Sequence, residues 1–144
     1  LAILKEYDFP PSQLWIEITE RCRDLPISMI KKTVTAFREA GIHITMDDYG
    51  TGSSSSQMML ELPVEGIKID MFFVKDILEE KKKQALVIGM INFANAADLR
   101  ICIEGIENDS LESYLRQFDV TCFQGYHYSR PICQDELMKL LIKP

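Results

Sequence analysis

The chain has 144 residues, of which 47% are hydrophobic and 26% are charged. This composition fits one globular domain with a hydrophobic core. The formal net charge of −6 argues against the binding of DNA or RNA polymers through a basic surface, so a phosphate-bearing ligand would need local cations.

Three further features bear on the setting of the chain. It begins at Leu1, without an initiator methionine, in what reads as a helix, which predicts a piece of a longer protein. No signal peptide and no apolar run of membrane-spanning length is found, so we expect a cytoplasmic domain whose parent could be membrane-anchored by other domains. The four cysteines lack CxxC spacing, and Cys102 and Cys122 lie in apolar runs, which predicts buried, reduced thiols.

Strand-like and helix-like segments alternate along the chain. In chain order the predicted elements are a strand at 14–20, a helix at 26–41, a strand at 42–49, a short helix at 54–62, a strand at 64–70, a helix at 71–99, a strand at 100–106, a helix at 108–120, a strand or strand-like turn at 121–129 and a helix at 133–142. The long helix at 71–99 is expected to break near the lysine run at 81–83.

The helix predictions rest on spacing and on end signals. Apolar residues at helical spacing support the helix at 26–41, and Gly41 is placed to end it. Asp109 or Ser110 is expected to cap the start of the helix at 108–120. Together with the strands between them, these helices form five strand–helix units.

Repeated strand–helix units with largely apolar strands predict a parallel sheet covered by helices. Periodicity alone leaves a doubly wound sheet and a barrel open. The C-terminal side of every predicted strand carries polar side chains: Glu17 and Glu20, Asp47 and Asp48, Lys68 and Asp70, Glu104 and Glu107, and Gln124. In a (β/α)8 barrel these ends meet at one mouth, and the sequence has no glycine-rich phosphate loop of the doubly wound type. We therefore predict an α/β fold of the (β/α)8 TIM-barrel type.

The polar residues of the strand ends suggest a site for hard cations. Glu17, Asp47, Asp48 and Glu104 offer oxygen ligands from three strands, which suits Mg²⁺ or Mn²⁺ better than zinc. A bridging carboxylate such as Asp47 would allow two ions about 3.5–4 Å apart, the usual spacing for attack on a phosphodiester. Lys68 could orient a water molecule or offset charge on a phosphoryl oxygen.

The stretch after the paired aspartates has its own prediction. Gly50, Thr51 and Gly52 read as a mobile loop over the mouth, with the glycines as hinges. Thr51 is placed to reach back to a carboxylate such as Glu20. The simpler interpretation, an ordinary Gly/Ser loop after a strand, stays open because one GTG is a weak signal.

Five segments of the sequence resemble the EAL-domain family of cyclic di-GMP phosphodiesterases. They are EITE (17–20), MDDYGTGSSS (46–55), LPVEGIKID (62–70), IEGIEN (103–108) and QGYHYSRPI (124–132). The resemblance implies a (β/α)8-type barrel that opens cyclic di-GMP to linear pGpG with two Mg²⁺ or Mn²⁺ ions. Their order and spacing agree with the family along almost the whole chain.

The resemblance also implies roles for single residues. Glu17, Asp47 and Asp48 resemble metal ligands, and Glu104 resembles a further metal-site carboxylate or the general base. Lys68 resembles the residue that positions the attacking water. The supporting positions are Glu20 as anchor of the loop with Gly50, Thr51 and Gly52, Gln124 at the far side of the site, and Asp70 and Glu107 as supports behind the ligands.

The family signature Glu-Ala-Leu, an asparagine ligand and a substrate-contacting arginine have no match in this sequence. Residues 1–144 are therefore expected to be the C-terminal three-fifths or so of one EAL domain. Two functions remain open: an active phosphodiesterase whose fragment is inactive alone, and a degenerate module that binds cyclic di-GMP or another protein. A homodimer formed across open sheet edges is expected, and the parent is expected to carry a sensory or diguanylate-cyclase-type domain.

Overall fold

The computed structural model describes residues 1–19, 25–52 and 55–142. Five strands lie in this part of the chain: β1 (Trp15–Thr19), β2 (His43–Tyr49), β3 (Gly66–Ile69), β4 (Arg100–Ile103) and β5 (Cys122–Phe123). The α-helices are α1 (Ala2–Glu6), α2 (Ile27–Glu39), α3 (Ser55–Glu61), α4 (Met71–Val74), α5 (Lys81–Ala96), α6 (Asp109–Leu115) and α7 (Gln134–Leu141), with a 3₁₀ turn at Pro11–Gln13.

The five strands form one sheet in the order β1-β2-β3-β4-β5, and every pair is parallel. Each strand lies next to the one before it in sequence, and a helix connects most of the neighbours, as in a barrel wall. The prediction of an α/β fold with alternating parallel strands and helices is confirmed. None of the described helices has the length and apolar character needed to cross a membrane.

Side chains alternate between the two faces of the sheet, because successive residues of a strand point to opposite sides. One face carries the buried isoleucines of β2, β3 and β4: Ile44, Ile67, Ile69, Ile101 and Ile103. Helix α5 packs on β3 and β4 through Val87, Ile91 and Ala94, which recur at helical spacing. The opposite face carries polar side chains and is called the polar face below.

The end signal predicted for the first long helix is correct. Helix α2 ends at Glu39, and Gly41 follows with a φ of +85°. This left-handed conformation is open to glycine without steric cost. The following residue, Ile42, is 1% exposed and enters the core directly, so the turn delivers the chain into β2.

The predicted break in the helical segment at 71–99 is confirmed. The structure has two helices, α4 and α5, and the break at 75–80 precedes the lysine run, which forms the first turn of α5. Asp70 starts α4, since its Oδ1 accepts a hydrogen bond of 2.7 Å from the amide of Phe72. Val74 and Ile77 are each 1% exposed, and the turn that buries both passes through Asp76 with a φ of +60°.

The predicted cap of the helix at 108–120 is wrong, whereas the predicted strand or strand-like turn at 121–129 is found as a short strand followed by a turn. Helix α6 is capped by Asn108, not by Asp109 or Ser110, because Asn108 Oδ1 accepts the amide hydrogen of Leu111 at 2.9 Å. The fifth strand is only two residues long, and the chain then turns. Gly125 is required there, because a Cβ atom would lie 2.1 Å from the carbonyl oxygen of Ile106.

Candidate active site

Lys68 stands at the centre of the polar face. Its Nζ lies 2.6 Å from Glu104 Oε1, 3.0 Å from Glu17 Oε1 and 3.3 Å from Asp47 Oδ1. The Lys68 side chain is only 8% exposed. An ammonium group at this depth requires carboxylate partners to offset its lost hydration.

Strand register explains why these four residues meet. In the sheet, Lys68 pairs with Cys102, so Glu104 lies two residues further along β4 and on the same face. Thr45 pairs with Glu17, and Asp47 is two residues beyond Thr45. Because the strands are parallel, their carboxyl ends converge at one edge and bring the four charges together.

Two opposing effects act on the pKa of Lys68. Burial alone would lower the pKa, since it disfavours the ammonium form. The hydrogen bonds to Glu104 and Glu17 and the negative charges of Glu104 and Asp47 outweigh burial and raise the pKa above its usual value of 10.5. Lys68 is therefore a fixed positive charge at neutral pH and can act as a hydrogen-bond donor, not as a base.

Three carboxylates form a group that could hold a cation. Oxygens of Asp47, Asp48 and Glu104 lie within 4.8 Å of one another. Asp47 Oδ1 is fully buried and accepts no hydrogen bond from the described residues, although it is within ion-pair distance of Lys68. A buried oxygen without a donor is costly unless a cation or water satisfies it. This orphaned acceptor and the oxygen-only donor set fit Mg²⁺ or Mn²⁺.

The backbone after Asp47 sets the direction of Asp48. The register between β2 and β3 shifts between Met46 and Tyr49, and Asp48 has a φ of +54°. A register shift of this kind re-aims side chains next to functional sites. Glu17 contacts Lys68 but does not belong to the group of three carboxylates.

The turn after β2 is held by a contact within the turn itself. Thr51 Oγ1 donates a 2.9 Å hydrogen bond to the backbone carbonyl of Asp48, so its hydroxyl holds the turn directly after β2. Gly50 has a φ of +93°, and a Cβ atom there would lie 2.5 Å from Met90 Cε. The predicted anchor Glu20 lies outside the described residues. Gly52 lies beside Gly50 along one cavity wall near α5.

Of the three supporting residues, only Gln124 lies at the site. Gln124 lines a cavity of about 460 Å³ on the polar face together with Glu17 and Lys68. Asp70 instead caps α4. Glu107 is exposed and lines a separate cavity of about 390 Å³ beside α4. Neither Asp70 nor Glu107 has a described contact with the four charged residues around Lys68.

Sequence reasoning missed several residues of the polar face. The 460 Å³ cavity is also lined by Trp15, Arg100, Cys102 and Cys122. Cys122 is exposed and Cys102 is half-buried, so the prediction of two buried core thiols is wrong. The alternation of side chains along a strand could have indicated this position, because Cys102 is two residues before Glu104 and therefore lies on the same face.

The sequence and fold of this chain are similar to those of known proteins. The family model described as EAL domain matches residues 1–131. The cyclic di-GMP phosphodiesterase RocR of Pseudomonas aeruginosa is 30% identical over 138 residues, which cover 95% of this chain and 35% of RocR. This chain spans about a fifth of the full length of three other curated relatives.

Solved structures agree with the family match. The EAL domain of Mycobacterium smegmatis DcpA superposes with a TM-score of 0.91 at 31% identity, covering 97% of this chain and 63% of that chain. Klebsiella pneumoniae BlrP1, solved with manganese and cyclic di-GMP, has a TM-score of 0.81 at 29% identity, covering 89% of this chain and 33% of BlrP1.

Proposed function

This chain belongs to the EAL domain family, and we propose that it is the C-terminal part of an EAL domain that hydrolyses cyclic di-GMP to linear pGpG with Mg²⁺ or Mn²⁺. The observation that carries the proposal is the arrangement of Lys68 among Glu17, Asp47 and Glu104. The carboxylates of Asp47, Asp48 and Glu104 also lie close enough together to share a cation. RocR and the Escherichia coli protein PdeR, two relatives of this chain, are named cyclic di-GMP phosphodiesterases.

In this proposal the carboxylates hold the cations and the lysine orients the reacting groups. Asp47, Asp48 and Glu104 would bind Mg²⁺ or Mn²⁺, with Glu17 as a further ligand from β1. Ions held there would polarise the phosphodiester and favour loss of a proton from water. Hydrolysis forms one oxygen–phosphorus bond from water and breaks one bond from phosphorus to a ribose oxygen.

Lys68 and Glu104 have separate tasks in this reaction. The ammonium of Lys68, fixed by three carboxylates, donates a hydrogen bond to the attacking water or to a phosphoryl oxygen. Glu104, whose Oε1 is 2.6 Å from that ammonium, would serve either as a further metal ligand or as the general base that accepts the proton of the water. Gln124, across the same cavity, offers an amide that can hydrogen-bond the substrate.

Metal dependence is the first test of this function. In a protein that carries this chain within a complete barrel, we expect hydrolysis of cyclic di-GMP with Mg²⁺ or Mn²⁺ and inhibition by Ca²⁺. The oxygen ligands also accept Ca²⁺, but its longer and looser coordination misplaces the attacking water. Chromatographic measurement of pGpG in each metal checks this, and activity that survives complete chelation of divalent ions contradicts it.

Binding of cyclic di-GMP without hydrolysis is the second candidate function. One observation favours it: the Lys68 ammonium already contacts three carboxylates, so part of the charge in the site is balanced without a divalent ion. Calorimetric titration with and without a chelator separates the two functions. Binding that is insensitive to the chelator and is not followed by pGpG release favours the non-catalytic module.

We also infer that the parent protein acts in the cytoplasm and carries a sensory or diguanylate-cyclase-type domain. We further infer that this chain forms a homodimer. The outer edge of β1 has no strand partner among the described residues, and unpaired strand edges favour association. Helix α7 adds apolar surface, since Leu141 is 69% and Ile142 is 70% exposed. Covering these surfaces with a second copy would remove both from water.

Light scattering coupled to size-exclusion chromatography tests this inference on the purified 144-residue chain. We expect twice the monomer mass of 16.6 kDa, with dissociation on dilution. Leu141→Glu should shift the equilibrium toward monomer, whereas Leu60→Glu, at a side chain 82% exposed on α3, should leave it unchanged. A monomer at every concentration contradicts the inference.

A further inference from the structure

Two free cysteines face each other on the polar face. Cys102 in β4 is the register partner of Cys122 in β5, so the two residues are direct neighbours across parallel strands. Both line the cavity of about 460 Å³ that also contains Lys68 and Gln124. The pair therefore lies inside the candidate active site, although the proposed hydrolysis has no use for a thiol.

The spacing of the two strands permits a bond between these thiols. Neighbouring strands lie about 4.7–4.9 Å apart, within the range of about 4.4–6.8 Å between Cα atoms that a disulfide needs. The amides of Thr121 and Gln124 donate hydrogen bonds to the carbonyl oxygens of Ile101 and Ile103. These bonds hold β5 against β4 and keep the two cysteines side by side.

Exposed disulfides are the labile ones that serve regulation, whereas structural disulfides resist reduction. Cys122 is exposed and Cys102 is half-buried, which suits a bond that forms and breaks.

The environment of Cys122 supports the same assignment. The hydrogen bond from the Cys102 thiol lowers the pKa of Cys122 to about 7, and the positive charges of Arg100 and Lys68 act in the same direction against burial. Cys122 is also exposed. A thiolate that solvent can reach is the form that oxidants attack first.

We propose that Cys102 and Cys122 form a reversible disulfide inside the cavity of the candidate active site when the protein meets hydrogen peroxide. The sulfur of Cys122 attacks one peroxide oxygen, the O–O bond breaks, and a sulfenic acid and one water result. The thiol of Cys102 then attacks the sulfenic sulfur, and a second water leaves. Two thiols lose two electrons and two protons, and one peroxide becomes two waters.

The bond should also impair ligand binding, an effect that rests on the proposed function. Gln124 is two residues beyond Cys122, and its backbone is tied to Ile103 and Ile106. Because this backbone is fixed, the bond changes the cavity through the two sulfur atoms, which lie between Gln124 and Lys68, whose register partner is Cys102. The disulfide itself does not depend on this consequence.

Mass spectrometry on the purified chain tests the bond. The reduced protein is treated with hydrogen peroxide, blocked with a maleimide and digested without reductant. We expect a linked peptide that contains Cys102 and Cys122, lighter by two hydrogens than the separate peptides, and its loss after treatment with dithiothreitol. The Cys22→Ser/Cys133→Ser variant, which keeps only the pair, should give the same linked peptide.

Single variants serve as controls for the assignment. Cys102→Ser and Cys122→Ser should each abolish the linked peptide, whereas Cys133→Ser, at an exposed cysteine before α7, should retain it. Cys122→Ser changes an exposed side chain and therefore keeps the test valid if Cys102→Ser fails to fold. Oxidation of Cys122 to a sulfinic acid without a linked peptide, or no oxidation of the pair, overturns the proposal.

A binding measurement separates this inference from the proposed function. Titration of cyclic di-GMP into the reduced and oxidised Cys22→Ser/Cys133→Ser variant of a protein that carries this chain within a complete barrel should show loss of binding on oxidation and recovery with dithiothreitol. Equal binding by both forms overturns the coupling to the site. Absence of binding by both forms contradicts the proposed function and leaves the mass-spectrometric result to decide the disulfide.

Discussion

Asp47→Asn is expected to remove most of the divalent-cation affinity of the site and to lower the rate of cyclic di-GMP hydrolysis by several orders of magnitude. Asp47 Oδ1 is a buried oxygen that accepts no hydrogen bond from the described residues, and one carboxylate oxygen of Asp47 lies within 4.8 Å of ligand oxygens of Asp48 and Glu104. An asparagine keeps the shape but loses the charge that a bridging ligand needs.

Two measurements check the Asp47 prediction. Electron paramagnetic resonance counts free Mn²⁺ in titrations of the 144-residue chain, and pGpG release is followed in a protein with the complete barrel. Asp109→Asn is the matched control, because Asp109 belongs to the other metal-capable group, with Glu112 and His127. Its side chain is 94% exposed, and it does not cap α6.

The control decides the position of the cation site as well as the importance of Asp47. We expect Asp109→Asn to retain Mn²⁺ binding and activity. If Asp109→Asn loses Mn²⁺ binding and Asp47→Asn keeps it, the cation site lies beside α6 and the proposed placement is wrong. Equal loss of activity in both variants, with both folded, would contradict the placement in the same way.

Lys68→Met is expected to destabilise the metal-free chain by about 3 kcal/mol, the lower end of the range for removal of one partner from a buried ion pair. The lower end applies because Glu17 is 48% exposed and can regain water, while Asp47 and Glu104 are 19% and 18% exposed and lose their counter-charge. Mg²⁺ should restore part of the stability, since a divalent cation can offset the same carboxylates.

Urea unfolding of the wild-type and variant chains measures this loss. Lys82→Met is the control, because Lys82 is exposed in the first turn of α5. A substitution at an exposed position of this kind changes stability by about 0.5 kcal/mol or less. If the two variants lose equal stability, the carboxylates around Lys68 do not depend on its charge.

The raised pKa of Lys68 gives the same prediction a pH dependence. A group whose pKa is higher in the folded than in the unfolded state contributes its full stabilisation at pH values below its unfolded pKa, which is 10.5 for lysine. The contribution is lost as the pH rises through the pKa of the folded state. The stability difference between wild type and Lys68→Met should therefore be constant near neutrality and fall above about pH 10. A difference that grows with pH in that range contradicts the assignment.

The sequence alone determined the order of the elements and most of the charged cluster. Apolar strands that alternate with helices specify a parallel sheet, and parallel strands bring their carboxyl ends to one edge. For that reason Glu17, Asp47, Lys68 and Glu104, which are up to 87 positions apart in the chain (104 − 17), could be predicted to meet. Local signals such as Gly41 after a helix also needed no tertiary information, because they act on neighbouring backbone groups.

Only the tertiary structure decided the remaining contacts. Asp70 and Glu107 follow strands as Glu104 does, but neither has a described contact with Lys68. Asp70 caps α4, and Glu107 is exposed beside another cavity. The pairing of Cys102 with Cys122 depends on the register between β4 and β5, and the orphaned oxygen of Asp47 depends on the register shift beyond Met46. A single strand does not encode register, because it is set by packing and turns across the whole sheet; the face, depth and partner of a side chain therefore appear only when the strands are assembled.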